Sequence, residues 1–233
     1  MHQLRPAGAR RNRLRAGFTL VEMAITLFVI TIISALLLVP LAGREDIRTR
    51  REAGTSLAEI RDVLIGYAII HRRLPCPTLQ TDPTASDYGL EDAACNQSSE
   101  GYLPWRTLGL PQTDAWGNVR RNGTDPWVGY WRYRVDPAFA HPASPPIAID
   151  TVANLDIGVR NAVTGVDMVA DKMLVAVIYS TGPNHAADGD NASFEAGDAT
   201  YGFGEPSTSF DDLLAWVSRP LLISRMAAAG ALP

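Results

Sequence analysis

Gly17-Phe18-Thr19-Leu20-Val21-Glu22 opens the stretch that decides the architecture, and residues 23–42 follow it without a charged side chain. That run is 20 residues long, about what a helix needs to cross a hydrocarbon core of roughly 30 Å. Thr26, Thr31 and Ser34 are its hydroxyl interruptions. An acidic side chain in such a segment costs roughly 2.5–3.5 kcal/mol at mid-bilayer and less near the interface, so it asks for a partner or a function. Glu22 is that side chain.

Charge gives the orientation. Arg5, Arg10, Arg11, Arg13 and Arg15 precede the run with no acidic residue among them, which favours a cytoplasmic amino terminus. Arg44, Arg48, Arg50 and Arg51 follow it, mixed with Glu45, Asp46 and Glu52, so the asymmetry is modest. A secretory signal cut near Ala42 fits less well. Its apolar core is usually about 7–15 residues with small residues at the cut, whereas this run is longer and carries Pro40 there.

The basic stretch, Gly17, Phe18 and the glutamate five positions after the glycine resemble the class III signal of type IV pilins and type II secretion pseudopilins. The resemblance implies that a prepilin peptidase cuts between Gly17 and Phe18 and methylates the new amino terminus. It also implies that Glu22 attracts the terminal amine of a neighbouring subunit as a filament grows. At low dielectric a matched amine and carboxylate attract strongly enough to set axial register. The implied partners are prepilin peptidase, other pilin or pseudopilin subunits and an inner-membrane assembly platform. The implied location is the bacterial inner membrane, single-pass, with the carboxy-terminal domain periplasmic. The chain is longer than a typical major pseudopilin, which points to a minor or variant subunit.

On this reading the chain divides into a basic leader (1–17), the membrane half of a long helix (18–42), its amphipathic half (43–73) and a globular domain (74–233). Ala53, Leu57, Ile60, Leu64 and Tyr67 recur at helical spacing and predict one buried stripe. Pro40, which has no amide hydrogen, predicts a kink or local melting near Gly43. Leu74-Pro75-Cys76-Pro77 ends the helix near Arg72 and Arg73. Residues 130–135, 146–150 and 172–180 are predicted strands, the last one central. The expected fold is α+β, a long helix packed on a small antiparallel sheet. Pro220 suits the first turn of a short closing helix, which either covers the domain's own sheet or docks on a neighbouring subunit.

Asp114-Ala115-Trp116-Gly117-Asn118 resembles the Asp-Pro-Trp-Gly-Asn turn of the major pseudopilin, with alanine for proline and an insertion over 119–129; its expected role is structural. Ser180-Thr181-Gly182, the polar stretch 184–209 and Phe210-Asp211-Asp212-Leu213-Leu214-Ala215-Trp216 resemble that protein's carboxy-terminal region, whose loop binds calcium. Calcium takes about six to eight oxygen ligands. Asp188, Asp190, Asp198, Asp211 and Asp212 can offer carboxylates, and the resemblance points to Asp211 with Asp188 or Asp190. The spacing is not that of an EF-hand, and such loops also occur as solvated turns.

Cys76 and Cys95 are the only cysteines. In an oxidising periplasm two thiols usually pair; the alternative is two buried free thiols. The formal charge is −4, from 21 basic and 25 acidic residues. Without the five leader arginines the balance is 16 against 25, or −9, with Lys172 the one lysine. That disfavours nucleic acid as a partner. His71, His141 and His185 are scattered, and neither a Gly-x-Ser-x-Gly elbow, a His-Glu-x-x-His helix nor a phosphate loop is present, so no catalysis is expected. A Ser180/His185/Asp188 triad exists only on paper. The rival reading is a periplasmic binding or enzymatic domain held by a pilin-type anchor.

Overall fold

The computed structural model describes residues 19–80, 82–95, 100–117, 129–192 and 199–233, with backbone alone over 35–44. The chain separates into two units, one ending at Asp46 and one spanning Ile47–Pro233. Helix α1, Leu20–His71, carries both expected halves. It remains helical through Pro40, so the expected melting does not occur; a single proline removes one amide donor and the adjacent turns hold.

In the first unit Thr26 Oγ1 donates to Met23 O at 2.9 Å and Thr31 Oγ1 to Phe28 O at 2.8 Å. Both hydroxyls are thereby satisfied by the helix backbone, and the outward surface stays apolar, with Leu20, Ile25, Leu27 and Phe28 exposed. Among the described residues no helix is long and apolar enough to cross a membrane. The described side chains of the uncharged run reach only Ser34.

In the second unit α1 buries Ala53, Leu57, Ile60, Leu64 and Ala68. Ala68 replaces the predicted Tyr67, which is partly buried and sends its hydroxyl to Glu91 Oε1 at 2.9 Å. The sheet order is β1 (Gly101–Tyr102), β2 (Arg132–Val135), β4 (Leu174–Ser180), β6 (Leu213–Ser218), antiparallel throughout. As predicted, β4 is internal, and all seven of its residues are buried. Val175, Ala176 and Ile178 join the α1 core with Tyr133, Val135 and Val217. Leu174, Val177 and Tyr179 face a second cluster built on β3 (Gly158–Asn161) and β5 (Thr200–Phe203).

Strands β3 and β5 form a two-stranded parallel sheet, which lies in stretches the sequence reading left irregular. The predicted strand at 146–150 is absent: Ile147 is buried, but its amide donates to Arg72 O at 2.9 Å, and Pro145 and Pro146 have no amide hydrogen for a ladder. Two short helices, α2 (Trp105–Leu108) and α3 (Pro137–Ala140), sit between strands. Helix α4, Arg219–Ala228, is capped by Ser218, whose Oγ accepts from Leu221 N, and carries Pro220 in its first turn. Leu222, Met226 and Ala231 enter the α1 core, so the tail covers its own domain.

Cys76 and Cys95 form a disulfide with Cα atoms 5.6 Å apart, and both are fully buried. Glu91 anchors the loop they close. Arg73 Nη1 and Nη2 donate to its two carboxylate oxygens at 2.7 and 2.8 Å, and Cys76 N donates at 3.1 Å. Burial opposes the Glu91 charge, but these donors and Tyr67 outweigh it and hold the carboxyl below its usual value. Burial, with the same carboxylate second, pushes the Tyr67 hydroxyl up to about 12. Cys76→Ser with Cys95→Ser removes the cross-link; with residues 19 apart, the expected loss is about 3 kcal/mol of stability, read by urea unfolding of the oxidised wild type against the double variant.

Candidate functional site

Three carboxylates converge where β4 leaves the sheet and β6 enters it. One ligand oxygen each of Asp188, Asp211 and Asp212 lies within 4.8 Å of the others. Asp188 precedes a 3-10 turn, Gly189–Ala192, and Asp211 and Asp212 precede β6. Backbone amides tie the two segments together: Asp188 N donates to Asp212 Oδ2 at 2.9 Å, and Asp211 N donates to Asp188 Oδ2 at 2.8 Å. Asn191 Nδ2 also donates to Asp212 Oδ2, at 2.8 Å.

Asp212 is 4% exposed, and its other oxygen, Oδ1, is buried without a hydrogen-bond donor among the described residues. Burial pushes its carboxyl up to about 7, and the charges of Asp188 and Asp211 push the same way against its two donors. Asp190 does not join this group; its carboxylate lies 3.8 Å from Arg160 Nε. Asp198 lies outside the described residues.

A glycine makes the convergence possible. Gly182 has φ +63°, and a Cβ there would collide with Asp211 Oδ1 and with Asp211 O. The turn at Gly182 is held from behind: its amide donates to Ser180 Oγ at 3.1 Å, and Ser180 Oγ donates to Asp114 Oδ2. Asp114 also accepts from Trp116 N at 3.1 Å through Oδ1 and from Gly117 N at 3.0 Å through its carbonyl. Burial raises the Asp114 carboxyl above its usual value. The two partial motifs, Asp-x-Trp-Gly and Ser-x-Gly, are thus one hydrogen-bonded unit. Trp116 is partly buried and packs against the core, with the Arg50 guanidinium 5.9 Å from its ring centroid. Ser180 is fully buried with its hydroxyl given to Asp114, so the paper triad is not assembled.

At the head of α1, Thr19 and Glu22 form a reciprocal cap. Glu22 N donates to Thr19 Oγ1 at 3.2 Å, and Thr19 N donates to Glu22 Oε2 at 3.4 Å. Glu22 is exposed on the first turn, where the helix dipole favours a carboxylate. Gly17 and Phe18 lie outside the described residues.

Residues 12–38 match the prokaryotic N-terminal methylation motif. That motif is the signature of the type IV pilin and pseudopilin family. It spans Gly17, Phe18 and Glu22 and implies a pilin-type substrate of prepilin peptidase, membrane anchoring and assembly with other pilin subunits. No curated protein and no solved structure matches the chain.

The convergence of three carboxylates raises the question of whether they fit a calcium ion. They do. The three oxygens lie within 4.8 Å of one another, close enough to contribute to a hard cation's shell of about six to eight oxygens, and the buried Asp212 Oδ1 is an acceptor without a hydrogen-bond donor among the described residues. Asp188, Asp211 and Asp212 would hold the ion, which would neutralise carboxylates that otherwise repel.

Sequence reading paired Asp211 with Asp188 or Asp190; the fold substitutes Asp212 for Asp190. It also missed Glu100, fully buried and accepting from Tyr179 Oη at 2.7 Å and Tyr201 Oη at 2.6 Å. Those partners are 79 and 101 residues away, so no local pattern could reveal them.

The metal-free domain keeps a proton on Asp212 up to pH about 7, whereas the unfolded chain releases it near 4. Stability therefore falls as pH rises from about 4 to about 7, by up to about 1.4 kcal/mol per unit from this group. Asp212→Asn should flatten that slope in chelator, read by urea midpoints across pH. Millimolar calcium should flatten it in the wild type and not in the variant. Gly182→Ala should cost about 1–3 kcal/mol through its left-handed backbone and displaced Asp211, and weaken calcium binding in titration calorimetry.

Proposed function

We propose that the chain is a structural subunit, a minor or variant pseudopilin or pilin, of a type II secretion pseudopilus or type IV pilus-like filament. In this reading prepilin peptidase cuts between Gly17 and Phe18, the run 23–42 anchors the subunit in the inner membrane, and the domain stands in the periplasm. The observation that carries the proposal is the motif at 12–38, with Glu22 set on the first turn of a helix whose far half is buried in a domain.

Glu22 is suited to the assembly role. Its carboxylate accepts from Thr19 N through Oε2 at the helix start and is exposed, an anion within reach of a subunit's terminal amine. The domain's buried carboxylates Glu91, Asp114 and Glu100 are committed to structure by internal hydrogen bonds. No reaction is assigned to the domain.

Expression with a prepilin peptidase should give an intact mass starting at Phe18 with one added methyl group, and without the peptidase an uncut chain. Glu22→Ala should be cut normally yet lose at least about tenfold in incorporation into sheared filaments, consistent with losing a low-dielectric ion pair. An uncut leader in the presence of the peptidase sinks the proposal. Unchanged incorporation of Glu22→Ala moves the reading to a domain on a pilin-type anchor.

A further inference from the structure

Residue Asn191 stands at the centre of the 3-10 turn Gly189–Ala192 and is 1% exposed. Its carboxamide does two separate things. Oδ1 accepts from Gly202 N at 2.8 Å and Nδ2 donates to Gly202 O at 3.2 Å, so the side chain pairs with both backbone groups of a β5 residue as a neighbouring strand would. The same Nδ2 donates to Asp212 Oδ2 at 2.8 Å. Its backbone carbonyl lies 3.2 Å from Tyr179 Oη on β4 as the second, longer acceptor of a hydroxyl that also donates to Glu100. The preceding residue, Asp190, lies 3.8 Å from Arg160 Nε on β3. One short turn therefore touches the acidic cluster, β5, β3 and the central strand.

We infer that Asn191 is a positioning residue that transmits cation occupancy at Asp188, Asp211 and Asp212 to the β3–β5 sheet. The inference rests on reading those carboxylates as a cation site, which the buried Asp212 Oδ1, without a hydrogen-bond donor among the described residues, supports independently of the acidic grouping.

The mechanism is local. A cation shared by Asp188 and Asp212 pins the start of the turn, one residue before Gly189, and at the same time pins the oxygen that Asn191 donates to. Without it, the Asp188 and Asp211 carboxylates, within 4.8 Å of each other, repel and load the two backbone hydrogen bonds that tie segments 188 and 211–212 together. Asn191 is then drawn from Gly202 or from Asp212, since one amide cannot follow both. A two-stranded parallel pair has little stability of its own, so the loss of Gly202's side-chain partner and of the Asp190–Arg160 approach falls on β3 and β5. The lobe they form carries Val163, Val166 and Met168 exposed at its hairpin. Cation loading would set how firmly that surface is held.

Hydrogen exchange read by mass spectrometry on the full chain, in excess chelator and in calcium alone, tests the coupling. Calcium is expected to slow exchange in peptides containing Asp188 and Asp211, and in the wild type also across Thr200–Phe203 and Gly158–Asn161, by about tenfold or more. In Asn191→Ala calcium should still protect the Asp188 and Asp211 peptides while leaving β5 unchanged. Asn191→Asp keeps an acceptor for Gly202 N but places a fourth carboxylate beside Asp212. It should leave β5 less protected than wild type in chelator and restore it in calcium.

If calcium protects the Asp188 and Asp211 peptides but β5 responds equally in wild type and Asn191→Ala, or if Asn191→Asp matches wild type in chelator, the coupling is overturned and the cation site stands. If calcium alters no peptide in the wild type, the cation site and the coupling fall together.

Discussion

A strand whose seven side chains are all buried can exist only where both faces of its sheet are covered, and β4 imposes that condition on Ile47–Pro233. One face is covered by α1 through Leu57, Ile60, Leu64 and Ala68, with α4 adding Leu222 and Met226. The other is covered by Ile157, Val159 and Tyr201 from the β3–β5 lobe. Burial of apolar area at roughly 25 cal/mol per Å² is the dominant favourable term, so each cover is as necessary as the strand. The tail and the small parallel sheet are therefore parts of the core arrangement rather than appendages to it.

Carboxylates buried by this arrangement are handled in different ways. Glu91 is matched by the Arg73 guanidinium. Asp136 caps α3 through Ala138 N and accepts from Leu155 N. Asp114 accepts from Ser180 and Trp116, and Glu100 from two tyrosines. Asp212 differs, with one oxygen doubly served and the other buried without a donor among the described residues. A buried acceptor left in that state costs about 1–3 kcal/mol or more. The arrangement makes sense beside a hard cation, which is also what two further carboxylates at its side favour.

The anchor segment and the domain illustrate different degrees of legibility. Gly17, Phe18 and Glu22 were readable because their meaning lies in fixed spacing along the chain, as did the stripe Ala53, Leu57, Ile60 and Leu64 on one helix face. β4 was readable because seven consecutive apolar and β-favouring residues bounded by Gly182 and Pro183 leave few alternatives. β3 and β5 were not, because Gly158-Val159-Arg160-Asn161 and Thr200-Tyr201-Gly202-Phe203 have no pattern apart from their partner, and parallel pairing joins residues 42 positions apart in each register pair, as with Gly158 and Thr200. Residues 146–150 do not form the expected strand, because Pro145 and Pro146 offer no amide hydrogens to a ladder.

By itself the sequence determined the amino-terminal motif, the helix face that is buried and the central strand, since each depends on local spacing, periodicity or composition; that Cys76 and Cys95 pair rather than stay free thiols is shown by the structure. Tertiary structure alone decided that Asp212 and not Asp190 stands with Asp188 and Asp211, that Glu100 sits between Tyr179 and Tyr201, and that α4 closes its own core. The reason is physical. Local patterns report how a segment meets water, whereas the identity of a buried group's partner is set by chain crossings whose closure entropy grows only slowly with length, so residues a hundred positions apart can meet without leaving a mark in either neighbourhood.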